Sequence, residues 1–308
     1  MEGSGIYQQK RGNFELKKIC STLIILSIIS SIIAFPKITQ AASDTTDGKN
    51  EIFYEWVESY DNLPSPSYFY DYNSSSQARE YIQFHTDDAP PDTSNEVENL
   101  ANTIQSDITN PWYISNYYTN NSAMERDWDY LERAVYNIET ADIAIFGGHG
   151  IDGKSLQFNR MYTDAHLTHA DADFGYYDLD WVFLFTCNWL KYKNERVLPN
   201  NILGGAHSIM GYGTTMWMGE AQKATYLGHM LTGNGVTKRT VKYAWHEMNR
   251  LYPGPNTKPG NETVSIVYGA TVDENDYLWD EGPVGPYPGN NPPYFWSSVT
   301  YNTLPQIY

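Results

Sequence analysis

The stretch Ala141-Asp-Ile-Ala-Ile-Phe-Gly-Gly-His-Gly150 decides the fold, together with its counterpart Asp180-Trp-Val-Phe-Leu-Phe-Thr-Cys187. Each is a short apolar run without alternation, which reads as a strand buried on both faces. Each ends abruptly in a reactive side chain: His149 between glycines, and Cys187 just before a helix or sharp turn predicted from Asn188. Ligands of open α/β sheets sit at the carboxyl ends of parallel strands. If these two strands are neighbours, an imidazole and a thiol meet at one rim, as base and nucleophile.

Outward from these strands the order of elements is mostly regular. Glu51 to Val57 reads as an opening strand, Asp61 to Ser76 as turns, and Gln77 to Phe84 as a short helix stopped by Pro90-Pro91. Thr93-Ser-Asn-Glu96 is a capping box followed by Val97, Leu100, Ala101 and Ile104 at helical spacing. Ser122-Ala-Met-Glu125 is another, predicting a helix with Trp128, Leu131 and Val135 on one face. Ile151 to Leu179 reads as a polar loop. Beyond Cys187, Gly205 to Gly213 is a third strand, and Glu220 to Leu231 is a helix closed by Gly233-Asn-Gly235. A further helix from about Thr237 turns Val241, Ala244, Trp245 and Met248 inward, and Thr263 to Tyr268 is a fourth strand. This alternation predicts an α/β fold, a mostly parallel sheet with helices on both faces. The domain is expected over residues 51–272, with 273–308 an irregular extension rich in Pro, Tyr and Gly.

The first residues read as a leader rather than as part of the fold. Lys10, Arg11, Lys17 and Lys18 form a basic region, Ile19 to Phe35 an apolar run, and Thr39-Gln-Ala41 a small-residue cleavage pattern. A secretory signal peptide over residues 1–42, a polar linker over 43–50 and a secreted, extracellular product are expected, with no stable membrane association after cleavage. The formal charge is −17, and losing the leader removes five basic and two acidic side chains, leaving −20. Phosphate binding needs clustered Lys and Arg, so nucleic acid is not an expected partner. Cys20 falls in the leader, which leaves Cys187 as the single mature thiol and no internal disulfide.

A free thiol is a few per cent ionised at neutral pH, and a neighbouring imidazolium or a helix N-terminus lowers its pKa. His149 and the turn or helix at Asn188 are placed to do both for Cys187. Protonated His149 would then serve the leaving amine as general acid. The amides of Gly150 and Cys187 are natural donors to a developing oxyanion, each such donor contributing about 3 kcal/mol to the transition state.

An apolar block ending in His-Gly, followed by a second ending in Cys, resembles the clan CD cysteine peptidases, which include caspases, legumains, gingipains, clostripains and separases. The matching residues are Ile143 to Gly150 and Trp181 to Cys187, and the form Gly148-His-Gly150 looks most like the gingipain branch. The resemblance implies the caspase–hemoglobinase fold, Cys187 as nucleophile, His149 as base or acid, and Gly150 with Cys187 as oxyanion donors. It also implies a peptide or protein substrate and no cofactor. More closely, the chain resembles an uncharacterised prokaryotic family known as a domain of unknown function. That likeness rests on Gly148-His-Gly150, Leu179-Asp-Trp181 with Cys187 and Leu190, Gly205-Ala-His207 with Gly211-Tyr212, and Ala244-Trp245. It spans roughly residues 50–270.

Rival readings stand beside this one. A catalytically silent domain of the same kind, binding a peptide or protein partner, fits the aromatic-rich tail and the short interval between His149 and Cys187. A metal-dependent hydrolase would use His149, Asp152 and His166. His166, His169, Asp171 and Asp173 have ligand chemistry for zinc or calcium, but a solvated acidic loop is favoured, so no metal is expected. His207 reads as a core histidine bonded to backbone, with the Cys187 rim as the alternative. Asp152, Asp180 or Glu220 are the groups that could select a basic residue in a substrate.

Overall fold

The computed structural model describes residues 50–57, 68–73, 78–83, 93–107, 111–129, 138–151, 155–158, 166–175, 178–191, 202–216, 221–253, 255–256, 262–278, 294–302 and 304–305. The chain divides between Ala41 and Ala42. The predicted signal peptide, and all of the linker before Asn50, lie outside the described residues. Among the described residues no helix is long and apolar enough to cross a membrane.

In chain order the elements begin with β1 (Asn50–Trp56), β2 (Tyr68–Asn73), β3 (Ala78–Gln83), helix α1 (Thr93–Gln105), β4 (Trp112–Thr119) and β5 (Ile143–Gly148). Next come β6 (Gly150–Ile151), β7 (Ser155–Gln157), β8 (His166–Thr168), β9 (Trp181–Thr186) and β10 (Ser208–Tyr212). Helices α2 (Ala221–Thr232) and α3 (Val241–Leu251) precede β11 (Pro255–Asn256), β12 (Glu262–Ala270), β13 (Tyr294–Asn302) and β14 (Leu304–Pro305).

One seven-stranded sheet in the order β13-β12-β10-β9-β5-β1-β4 organises these elements. The strands from β4 to β10 in that order run parallel. β12 lies antiparallel to β10, and β13 antiparallel to β12. The fold is therefore α/β with a mostly parallel, mixed sheet. Every residue of β5 and β9 is buried, as their unbroken apolar sequences require. Alternation then divides them between two cores. Ile143, Ile145, Trp181, Phe183 and Phe185 pack on one side, and Ala144, Phe146, Val182 and Leu184 on the other. Each Ile, Val, Leu or Phe among them contributes about 1.5–3 kcal/mol relative to exposure.

All three described helices bury their apolar stripes in the first of these cores, through Val97, Leu100, Ala101 and Ile104 of α1, Leu227 and Leu231 of α2, and Ala244, Trp245 and Met248 of α3. The predicted close of α2 at Gly233 holds, and α3 starts from a cap later than the expected Thr237. Thr240 accepts the Tyr243 amide at the start of α3, and Gly233, at φ +79°, closes α2 by donating to the His229 carbonyl at 2.8 Å. Helices on both faces were expected; among the described residues they occupy one. The opposite core is built from rings and tight turns, with Trp128 5.5–6.2 Å from Phe53, Phe146, Phe158 and Phe174.

Four segments differ from expectation. Gln77 to Phe84 is not a helix: Ala78–Gln83 pairs antiparallel with Tyr68–Asn73 in a hairpin, where aromatic and β-branched residues favour a pleated surface. The helix predicted after Ser122 is replaced, over the described residues, by two 3-10 turns at Asn120–Ser122 and Glu125–Asp127. Ser122 Oγ turns back to accept the Thr119 amide at 2.9 Å, so its capping capacity is spent upstream. Leu131 and Val135 lie outside the described residues. The region read as a polar loop contains a three-stranded sheet, β6-β7-β8, in which Ser155 Oγ and His166 Nδ1 meet at 3.2 Å. Finally, residues 294–302 are not irregular. They form β13, whose Tyr294 and Trp296 rings lie 5.4 and 5.9 Å from Tyr268.

Candidate functional site

β5 and β9 pair in parallel register from Ile143↔Trp181 to Gly148↔Thr186. The next residue on each strand is His149 and Cys187, so the two leave the carboxyl rim side by side. Both share the parity of the helix-side residues Ile143, Ile145, Phe183 and Phe185, and Cys187 packs against that core. The strand order places this rim at a topological switch point. From β1 the chain passes to β4 on one side and to β5, β9 and β10 on the other, so the order reverses between β1 and β5, the position at which open α/β sheets form a ligand crevice. His149 stands at that crevice, half-buried, with its carbonyl accepting the Gln157 amide at 2.9 Å.

The two turns are fitted backbone to backbone. A β-carbon added to Gly150 would collide with the carbonyl oxygen of Cys187 and lie 3.2 Å from Thr186 Cβ. Only glycine permits this approach. On the other side, Asn188 adopts the left-handed conformation at φ +55°. Its amide donates to the Thr214 carbonyl at 3.0 Å, and the Lys191 amide closes the turn on the Asn188 carbonyl at 3.0 Å. Non-glycine residues held in this region store strain, and such strain clusters at functional sites. Residues 188–191 thus take the sharp turn rather than a helix. The helix N-terminus expected to acidify the thiol is absent among the described residues.

Cys187 Sγ is partly buried, accepts the Met216 amide at 3.4 Å and lies 3.8 Å from the Met216 carbonyl. Burial pushes its pKa up, and the Met216 contact offsets this only in part. The expected depression of the thiol pKa is therefore reversed, because desolvation outweighs the contact with Met216. Beneath it, the Tyr212 hydroxyl donates to Asn249 Oδ1 at 2.7 Å, and the Trp245 indole donates to the Gly211 carbonyl at 3.4 Å. Met216 and Thr214 hold the Cys187 turn from the loop after β10, and no motif in that loop announces them.

The remaining candidates do not join this rim. His207 precedes β10 at the opposite, amino-terminal rim, 4% exposed, with Asp180 Oδ1 3.4 Å from Nε2 and Asp276 Oδ2 2.7 Å from Nδ1. Its side-chain contacts are carboxylates rather than the backbone expected. Asp180 lies there too, 1% exposed, and cannot greet a substrate at the Cys187 rim. Asp152 and Glu220 are outside the described residues. His166 and His169 are not part of a solvated loop: both are buried. His166 faces Ser155, whereas His169 Nε2 meets the Trp189 carbonyl at 2.9 Å and burial lowers its pKa to about 4. Asp171 is engaged by Thr168.

One pair of acids near the rim carries no sequence signal. Glu55 on β1 is fully buried and accepts the Trp128 indole at 2.8 Å. Burial, then the charge of Asp127, raises its pKa well above the usual range. Burial likewise raises Asp127 to about 6, although its hydrogen bond with Glu55 pulls the other way. The two carboxyls meet beside Trp128 on the side of the sheet away from the helices.

A sequence-family profile described as Domain of unknown function (DUF6345) matches residues 77–301. No curated protein matches the chain.

Proposed function

The chain belongs to the DUF6345 family, and we propose that it is a secreted, caspase-like hydrolase that uses Cys187 and His149 for acyl transfer on peptide bonds. The observation that carries this reading is the exit of the two residues from adjacent parallel strands in register, at the switch point of the sheet. The strained Asn188 turn and the glycine contact at Gly150 support it.

Because burial keeps the resting thiol protonated, the mechanism that suits this rim is general-base catalysis rather than a standing ion pair. His149 takes the Sγ proton as sulfur attacks the substrate carbonyl, and the amides of Gly150 and Cys187 receive the oxyanion. The imidazolium then gives its proton to the departing amine, leaving a thioester. Water, deprotonated by His149, attacks the thioester; the acid product leaves and Sγ regains its proton.

The test is turnover of a fluorogenic peptide library by the purified chain without residues 1–42. Cleavage is expected to fall by at least about a thousandfold in both Cys187→Ala and His149→Ala while the melting temperature is unchanged. Cleavage that survives Cys187→Ala would sink the reading.

A second reading has its own support. The upward-shifted thiol and its contacts with Met216 also suit a silent domain that binds a peptide or protein partner at the same crevice. That reading gains if no peptide is cut but one is bound, with Gly150→Ala weakening the binding.

A further inference from the structure

The amino-terminal rim, at the far end of the strands from Cys187, carries a second set of ligating groups. His207, Asp273 and Asp276 each offer one ligand atom, and these atoms lie within 4.8 Å of one another. Three elements deliver them. His207 precedes β10, Asp273 ends the 3-10 turn Thr271–Asp273 that follows β12, and the Asp276 carbonyl accepts the Val241 amide, at the start of α3, at 2.8 Å. Backbone bonds fix the frame: His207 donates to the Asp180 carbonyl at 2.8 Å, Ala270 to the His207 carbonyl at 3.1 Å, and Asp276 to the Asp273 carbonyl at 3.1 Å.

The imidazole is aimed as well as placed. Trp181 meets it edge-on at 5.3 Å and 79°, and Asp180 Oδ1 stands 3.4 Å from Nε2. A carboxylate beside one ring nitrogen is the usual neighbour of a metal-bound histidine, whose other nitrogen is then the one that ligates. That other nitrogen, Nδ1, is buried and makes no hydrogen bond of acceptable geometry, although Asp276 Oδ2 is 2.7 Å away. A nitrogen and an oxygen set this close, yet out of line for a proton between them, are disposed as two ligands turned toward a common ion.

We propose that His207 Nδ1, Asp273 and Asp276 bind one divalent transition-metal ion, with zinc the best match, and that Asp180 orients the imidazole. Zinc takes imidazole and carboxylate at about 2.0–2.2 Å, which separates neighbouring ligands by about 3.3 Å in a tetrahedral site. A small rotation of Asp276 supplies the difference. Calcium fits poorly, because it gathers six to eight oxygens. Asp273 and Asp276 are half-buried, so water can complete the shell. The ion would tie the start of β10, the exit of β12 and the start of α3 together. It would act as a staple independent of the chemistry at the Cys187 rim.

The experiment loads the full chain, purified in chelator-treated buffer, with Zn²⁺. One zinc per chain is expected to survive desalting, and the melting temperature to rise by several degrees and fall back on adding a chelator. Co²⁺ in place of Zn²⁺ is expected to give visible absorption that Zn²⁺ abolishes. His207→Gln is expected to weaken binding at least about a hundredfold, beyond what outer partners usually cost. Because that variant alters a buried group, Asp273→Asn is the companion. It leaves the contacts of His207 with Asp180 and Asp276 intact, and is expected to weaken binding at an unchanged metal-free melting temperature. No retained zinc, or retention equal to wild type in both variants, overturns the proposal and leaves a buried histidine–carboxylate contact.

Discussion

Gly150 rests on the carbonyl oxygen of Cys187 with no room for a β-carbon between them. The turn that carries the imidazole and the turn that carries the thiol are thus held together by main chain. Their spacing survives changes in the surrounding side chains but not a methyl group at residue 150.

Gly150→Ala is accordingly expected to destabilise the protein by about 1–3 kcal/mol, as overpacking does, because the obstructing atom belongs to backbone and cannot rotate away. The urea midpoint measures this. Any Cys187-dependent cleavage is expected to fall further than the stability loss explains at a temperature where the variant remains folded.

Burial of Cys187 gives its alkylation a definite pH profile. With the folded value raised, the thiolate fraction grows about tenfold per pH unit throughout the neutral range. Iodoacetamide labelling, read at Cys187 by peptide mass spectrometry between pH 6 and 8, is expected to follow that slope. A plateau below pH 7 would mean a standing thiolate–imidazolium pair and contradict the burial argument.

The acid pair under β1 sets an opposite dependence for stability. Asp127 titrates near 6 when folded against 3.8 when free, so between those values the native state holds more protons than the unfolded chain. Its contribution is intact below the lower value and is lost as pH rises through 6. Glu55 shifts in the same sense. The difference in urea midpoint between Asp127→Asn and wild type is expected to grow in favour of the variant from pH 4 to 6 and then level off. Glu55→Ala, by contrast, is expected to cost about 1–3 kcal/mol, since it strands the Trp128 indole without its acceptor.

His246 works with the reverse sign. Its ring bridges α3 to the sheet through Ser265 Oγ at 2.7 Å and Ser297 Oγ at 3.0 Å, and burial holds its pKa down at about 4. A depressed histidine favours the fold above 6.5 and loses that contribution as pH falls toward 4. His246→Ala is expected to cost about 1–3 kcal/mol at pH 7 and less at pH 5, measured by paired denaturant melts.

What the sequence disclosed follows from how each segment is buried. β5 and β9 were legible because strands covered on both faces spell continuous apolar runs. The apolar stripes of α1 and α3 were legible because helical spacing is a local signal. The hairpin escaped because so short a run does not tell a strand from a helix, the β6-β7-β8 sheet because strands of two or three residues resemble loops, and β13 because its partner β12 lies across a Pro- and Gly-rich segment. Periodicity showed which stripe of each helix is apolar but not which side of the sheet receives it. At the rim, the adjacency of His149 and Cys187 could be read from two strand ends. The Met216 contact that helps set the state of the thiol could not, since it arrives from a loop 29 residues downstream.

Among the described residues, α1, α2 and α3 gather behind the sheet, and the layer around Trp128 is built of short strands, turns and large rings. Interlocked helices resist a change of length, whereas a turn absorbs one by looping outward. Relatives of this chain should therefore differ in size mainly on the turn-built side, and an engineer seeking a place to graft a reporter should look there first.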